Sequence, residues 1–149
     1  MKIEHFEDLE IWKEARDLCK FIKVVTDGDL FSRDYKFREQ IRCSAGSTMD
    51  NIAEGFERDG RKEFIQFLSI AKGSCGEIRS QAYRAFDYKF ITQEQFNELI
   101  ERTLQLSKKI SRLLNYLKTT EIRGTKFKKP ETKICNPFTK TYYLYSILT

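Results

Sequence analysis

Histidine is almost missing from this 149-residue chain: His5 stands alone. A ferritin-type di-iron site needs two Glu-x-x-His motifs facing each other inside a helical bundle, so that chemistry is excluded. Ser-His-Asp and Cys-His catalysis are excluded on the same ground, and the chain is not expected to be an enzyme. Proline is scarce too. Pro130 and Pro137 are the only two, so long helices meet no obstacle before residue 130. Cys19, Cys43, Cys75 and Cys135 lie 24, 32 and 60 residues apart, with no C-x-x-C pair. That spacing argues against a zinc site or a disulfide framework. The expectation is free, buried thiols in a reducing cytoplasm. The longest mainly apolar run, residues 142–148, is too short to cross a bilayer. The opening MKIEHFEDLEIW is acidic and amphipathic and lacks the apolar stretch of a signal peptide. Nothing in the chain calls for a cofactor, a metal, a membrane or a small-molecule substrate.

Charge is present but unevenly placed. Up to Leu117 there are 20 Lys+Arg and 20 Asp+Glu; from Lys118 onward there are 7 and 2. The whole net charge of +5 therefore lies beyond Leu117. A basic balance points to nucleic acid as a partner, and here it points there through the tail rather than the body.

Apolar residues recur at helical spacing in four segments. Over about 6–26, Ile11, Ala15, Leu18, Ile22 and Val25 follow steps of 4, 3, 4, 3, a heptad seam widened by Trp12 and Cys19. Asp27-Gly28-Asp29 stops that helix, with Gly28 suited to a left-handed C′ position. Over about 35–56, Phe37, Ile41, Ser44, Thr48 and Ile52 share a face. Over about 61–88, Phe64, Leu68, Ala71, Cys75, Ile78, Ala82 and Ala85 repeat the pattern. The fourth helix opens on Thr92-Gln93-Glu94-Gln95, a capping box, and carries Phe96, Leu99, Thr103, Leu106, Ile110, Leu113 and Leu117. Short linkers make neighbouring helices antiparallel. The pattern predicts an all-α, antiparallel up-and-down four-helix bundle over residues 1–119. An irregular, basic, Tyr-rich tail follows over 120–149.

Helices two and three have unusually small middles: Ser44-Ala45-Gly46-Ser47, and Ala71 to Gly76 with Gly73 and Gly76. A glycine inside a helix costs about 1 kcal/mol against alanine. The expected return is close approach of the two helices, small face against small face. Glu54 and Glu77 flank these middles. Paired carboxylates can do acid–base work, but an ion pair with Arg42 or Arg79 that fixes helix register is the better account. It predicts that Glu54→Ala destabilises the protein.

Basic residues cluster in four places: Arg38 with Arg42; Arg58, Arg61 and Lys62; Lys108, Lys109 and Arg112; and Lys126, Lys128 and Lys129 in the tail. Each cluster can contact phosphates.

Particular residues carry a family resemblance. They are Gln40-Ile41-Arg42, then Ser47 with Asn51-Ile52-Ala53-Glu54-Gly55-Phe56, then Lys62-Glu63-Phe64-Ile65-Gln66-Phe67-Leu68, then Gly73-Ser74 with Glu77. Together with Phe6-Glu7-Asp8-Leu9-Glu10-Ile11-Trp12-Lys13, they resemble the four-helix bundle proteins encoded in intervening sequences of bacterial 23S ribosomal RNA genes. The resemblance spans roughly residues 6–118. It implies a left-handed antiparallel bundle, a homo-oligomer of pentameric type, a link to ribosomal RNA and no enzymatic activity. A similar group of bundles assists reverse transcriptases, so a protein-binding scaffold or accessory subunit of a nucleic-acid enzyme is the alternative. In that case Trp12, Phe127 or the Tyr-rich terminus would dock the partner. The chain departs from the family where Met49 replaces a frequent proline and where Gly60 replaces the usual Ser or Thr cap, leaving Asp59 to cap. Asn51, Glu54, Gly55 and Glu77 are read as structural or assembly residues.

Overall fold

A computed structural model of the chain describes residues 3–58 and 60–119. Four long helices, α1 (Glu10–Thr26), α3 (Tyr35–Glu57), α4 (Arg61–Asp87) and α5 (Gln93–Thr119), carry the fold, and a one-turn helix, α2 (Asp29–Ser32), follows α1. A single 3-10 turn, Phe6–Asp8, precedes them. There the Asp8 carboxylate accepts from the Glu4 and His5 amides at 2.9 and 3.0 Å. The His5 and Glu4 amides hold that carboxyl below its usual range.

The heptad seams face one another as their spacing demands. Ile11, Leu18, Ile22, Ile41, Ile52, Leu68, Ile78, Leu99, Leu106 and Ile110 are all fully buried. The polar members of the seams satisfy themselves. Thr26, Thr48 and Thr103 are buried, and each hydroxyl donates to the carbonyl four residues back, at 2.7, 3.0 and 2.7 Å. Direction follows from cross-helix contacts. Glu14 meets Lys109 while Phe21 lies under Arg102; Ser47 meets Ser74 while Gln40 meets Arg84. As one index rises the other falls, so α1–α5 and α3–α4 run antiparallel. Residues 120–149, including Lys126, Lys128 and Lys129, lie outside the described residues, as does Asp59.

Helix ends differ from expectation at one point and agree at another. Gly28 is not left-handed. Its backbone is extended (φ −64°, ψ 151°), and it leads into α2 instead of terminating α1. The reason is Phe31, which α2 turns back into the core, where it is 1% exposed. Its ring packs on Phe37 and Phe90 at 5.6 and 5.1 Å between centroids. At the start of α5 the capping box forms as written: the Gln95 amide donates to Thr92 Oγ1 at 3.2 Å, and the Thr92 amide to Gln95 Oε1 at 2.9 Å. α3 runs unbroken through Met49.

Among the described residues the left-handed one is Lys89, with φ 60°. The Phe90 amide reaches back to the Ala85 carbonyl at 2.8 Å and the Lys89 amide to Phe86 at 2.9 Å, closing α4 with a Schellman motif. Glycine normally occupies this position because a Cβ crowds the following carbonyl. Lys89→Gly should therefore stabilise the protein by about 0.5–1 kcal/mol, net of the extra freedom glycine gives the unfolded chain. A thermal melt should show a rise of a few degrees; a fall would mean the turn does not carry the strain assigned to it.

Candidate nucleic-acid interface

The basic residues singled out in the sequence do not converge on one patch, and several are engaged. Arg42 spans from α3 to the end of α1, donating through Nε to Thr26 Oγ1 and through Nη2 to Asp27, both at 2.8 Å. Asp27 also accepts from Lys23 at 2.6 Å, and the Lys23 and Arg42 cations hold its carboxyl below the usual range. Arg42 is thus a clamp between two helices. Arg38, its neighbour, lies over the Tyr35 ring at 5.0 Å and near Glu39. At the opposite end, Arg58 pairs with Glu54 at 2.7 Å and Glu63 at 3.2 Å and covers the Phe67 ring. Arg61 is half-buried and Lys62 exposed beside it. Lys109 is held by Glu14, whereas Lys108 and Arg112 are exposed.

A further basic stripe, outside the clusters named from the sequence, is on α1. Lys13, Arg16, Lys20 and Lys23 follow steps of 3, 4, 3, and all four are exposed. The signal was legible as heptad spacing of cations, but it was masked by the acids between them. Lys20 pairs with Asp17 at 2.8 Å and Lys23 with Asp27. Exposed pairs of this kind are worth little, so they leave the cations available to a phosphate. The Glu14–Lys109 contact sets the first half of α1 beside the second half of α5. Lys13 and Arg16 therefore share an end of the bundle with Lys108 and Arg112, the end from which residues 120–149 continue.

Trp12 is not an exposed docking point. It is half-buried, packed edge-on against Phe6 at 5.0 Å and covered by Arg16 at 5.8 Å. The exposed large apolar side chains are elsewhere: Val24, Leu30, Tyr35 and Tyr88 towards the α2 end, and Ile70, Tyr83 and Leu104 along α4 and α5.

The assembly residues also land differently. Glu54 and Glu77 are exposed, and neither pairs with Arg42 or Arg79 among the described residues. Glu54 reaches one turn along its own helix to Arg58, and Glu77 accepts from Ser44 Oγ at 3.2 Å. The buried register pair is therefore absent there. An exposed Glu54 stabilises little, since water already solvates it. Asn51 donates within α3, to Ser47 O at 2.7 Å and Ser47 Oγ at 3.1 Å, and Ser47 Oγ in turn meets Ser74 Oγ on α4 at 2.9 Å. Gly55 is the glycine at a close helix approach: an added Cβ would lie 2.6 Å from the Phe67 Cβ. Gly73 and Gly76 are not packed against α3, for an added Cβ there meets nothing within 4 Å.

The thiols divide by position. Cys75 is buried and donates to the Thr103 carbonyl at 3.2 Å, Cys19 is half-buried, and Cys43 is exposed, contrary to the expectation of burial. Burial, with the Asp50 carboxylate nearby, pushes the Cys19 thiol up to about 11. No group of three or more His, Cys, Asp and Glu is placed to hold a metal among the described residues. No described helix is long and apolar enough to cross a membrane.

These features define a class, the antiparallel four-helix bundle with mixed surface charge. The chain belongs to the 23S rRNA-intervening sequence protein family, whose description matches residues 7–112. Its fold is similar to that of a crystal structure from Bacteroides thetaiotaomicron VPI-5482, described as a protein with unknown function from the S23 ribosomal protein family. The two align with a TM-score of 0.62 at 18% identity, covering 70% of this chain and 95% of that one. No curated protein matches this chain.

Proposed function

We propose that this protein is a non-enzymatic, self-associating bundle that binds structured RNA, of ribosomal type by family membership. The observation that carries the reading is where the charge lies. The body is neutral up to Leu117 and the +5 lies beyond it in the sequence, while Lys13, Arg16, Lys108 and Arg112 are exposed at the end of the bundle where α5 finishes. Phosphates are bound by displacing counterions, so a neutral body holds RNA weakly and a basic extension strengthens the binding.

Filter binding to a ribosomal RNA fragment tests this. Affinity should fall steeply between 50 and 200 mM salt, and removing residues 120–149 should weaken it about tenfold or more while flattening the salt slope. Lys13→Glu with Arg16→Glu should weaken it further. Binding that is indifferent to salt, or to both changes, would sink the reading. One observation favours a second reading, a scaffold for a nucleic-acid enzyme: Val24, Leu30, Tyr35 and Tyr88 are all exposed on the elements at the other end. Recovery of a protein partner that survives nuclease and is lost with Tyr35→Glu would favour it.

A further inference from the structure

One groove of the bundle holds polar groups that the fold leaves short of partners. It runs between α3 and α4 and encloses about 510 Å³, a size suited to a small ligand. Its lining includes Gln40, Cys43 and Ser44 from α3 and Glu77, Gln81 and Arg84 from α4, and no aromatic ring. Gln81 is the telling member. It is 7% exposed, and its Nε2 donates to Ser44 Oγ at 3.1 Å, but its Oε1 has no partner among the described residues. The amide is held this way round. Ser44 has one proton, and two other acceptors stand within its reach, the Gln40 carbonyl at 3.0 Å and Glu77 Oε2 at 3.2 Å. Ser44 therefore accepts from Gln81, and Gln81 Oε1 is left over. A buried carbonyl oxygen in a groove wall calls for a donor from whatever fills the groove.

A second acceptor stands beside the first. The Glu77 carboxylate bonds the same Ser44 hydroxyl, and no cation pairs with it among the described residues. Glu77 is exposed, so it can turn to a ligand and leave the Ser44 proton to the Gln40 carbonyl. Two neighbouring acceptors, one of them an anion, select a ligand with two adjacent N–H donors. Among the RNA bases guanine alone presents that pair, N1–H and the N2 amine. Adenine and cytosine set a ring-nitrogen acceptor beside one amine, and uracil sets one N–H between two carbonyls, so each turns a lone pair towards Glu77 or Gln81. Without an aromatic ring the groove cannot hold a base by sequence-tolerant stacking, and hydrogen bonds to its edge must select it.

The far end of the groove suits the rest of a nucleotide. Arg84 lies seven residues along α4 from Glu77, about 10 Å at the helical rise, which is the reach from a base's pairing edge to its own phosphate. Its Nη2 donates to Gln40 Oε1 at 2.7 Å, while its Nε has no partner and no carboxylate pairs with it among the described residues. An arginine free of carboxylates is a ready phosphate ligand. We infer that the α3–α4 groove takes an unpaired guanine nucleotide of single-stranded RNA, with N1–H and the N2 amine donating to Glu77 and Gln81 Oε1 and the phosphate held by Arg84. The inference rests on the RNA binding proposed above and deepens it: phosphate contacts supply affinity, and the groove supplies the choice of base.

The test uses the full chain and short uridine oligonucleotides carrying one central guanosine, adenosine or cytidine. Affinity is read by fluorescence anisotropy at low salt, and the exposed Cys43 is labelled with a maleimide and mapped by mass spectrometry. The guanosine oligonucleotide should bind about tenfold or more tighter than the others and should protect Cys43. Inosine, which lacks the N2 amine, should lose most of that preference. Glu77→Ala should abolish the preference without lowering the melting temperature, since Glu77 is exposed. Gln81→Leu should abolish it too, read as the ratio between oligonucleotides. Equal binding of all the oligonucleotides overturns the groove and leaves RNA binding standing. So does a preference that survives Glu77→Ala, or guanosine binding that leaves Cys43 open. Protection of Cys43 by arginine amide but by no oligonucleotide assigns the groove to a guanidinium and overturns the inference. If neither the oligonucleotides nor the ribosomal fragment bind at low salt, both readings fall.

Discussion

Phe31→Ala should destabilise the protein by about 3–5 kcal/mol, the range for emptying a buried aromatic site. The ring is 1% exposed and sits at the centre of an aromatic group. Phe37 and Phe90 flank it, Tyr88 packs on both of them at 6.2 and 5.8 Å, and Arg84 lies 4.0 Å over Phe37. This group closes the end of the bundle where α1 gives way to α3 and α4 to α5. Removing Phe31 leaves a cavity between rings that are fixed by two separate helix ends, so it cannot collapse cheaply. Against a typical total stability of about 5–15 kcal/mol, the loss is large. Urea titration should show a lower midpoint with an unchanged slope. A loss under about 1 kcal/mol would mean that α2 does not hold the ring in the core.

Gly55→Ala should cost about 1–3 kcal/mol, although alanine is the better helix former. The new methyl would stand 2.6 Å from the Phe67 Cβ and 3.1 Å from Phe64 Cδ2. The nearer obstacle is a Cβ fixed to the α4 backbone, so relief requires the helices to part. Gly73→Ala makes the contrast. In the isolated subunit it should gain up to about 1 kcal/mol, because its methyl meets nothing and the helix backbone loses freedom in the unfolded state. Melting the two variants side by side at low protein concentration reads both signs. If Gly55→Ala melts above the wild type, the close approach of α3 and α4 at Phe67 is wrong.

The core was legible because burial in a bundle is periodic. Every seam residue of α1 from Ile11 to Val25, and of α4 from Phe64 to Ala85, is buried where the 4-3 steps place it. The capping box at Thr92 was legible for the same kind of reason, since both its bonds join residues three apart. Gly28 was misread because the same residue serves a left-handed stop or an extended lead-in. The choice belongs to Phe31, which gains more by entering the core than Gly28 does by capping. The glycines were misassigned as a group. Spacing cannot say which glycine faces Phe67 and which faces away, because that depends on how α3 is rotated against α4.

The candidate interface follows the same division. The sequence placed the excess charge beyond Leu117 and named the basic clusters. It could not show that Arg42 is spent on Thr26 and Asp27, that Glu54 reaches its own helix, or that Lys13 and Arg16 share an end with Lys108 and Arg112. Those are contacts between residues far apart in the chain, and a one-dimensional pattern carries no term for them. By itself, then, the sequence determined the helices, their core faces and the charge balance, all of which depend on neighbours within two turns. The tertiary structure alone decided which glycine is pressed, which arginine is held and which face of α4 is left open, because these depend on how one helix is set against the next.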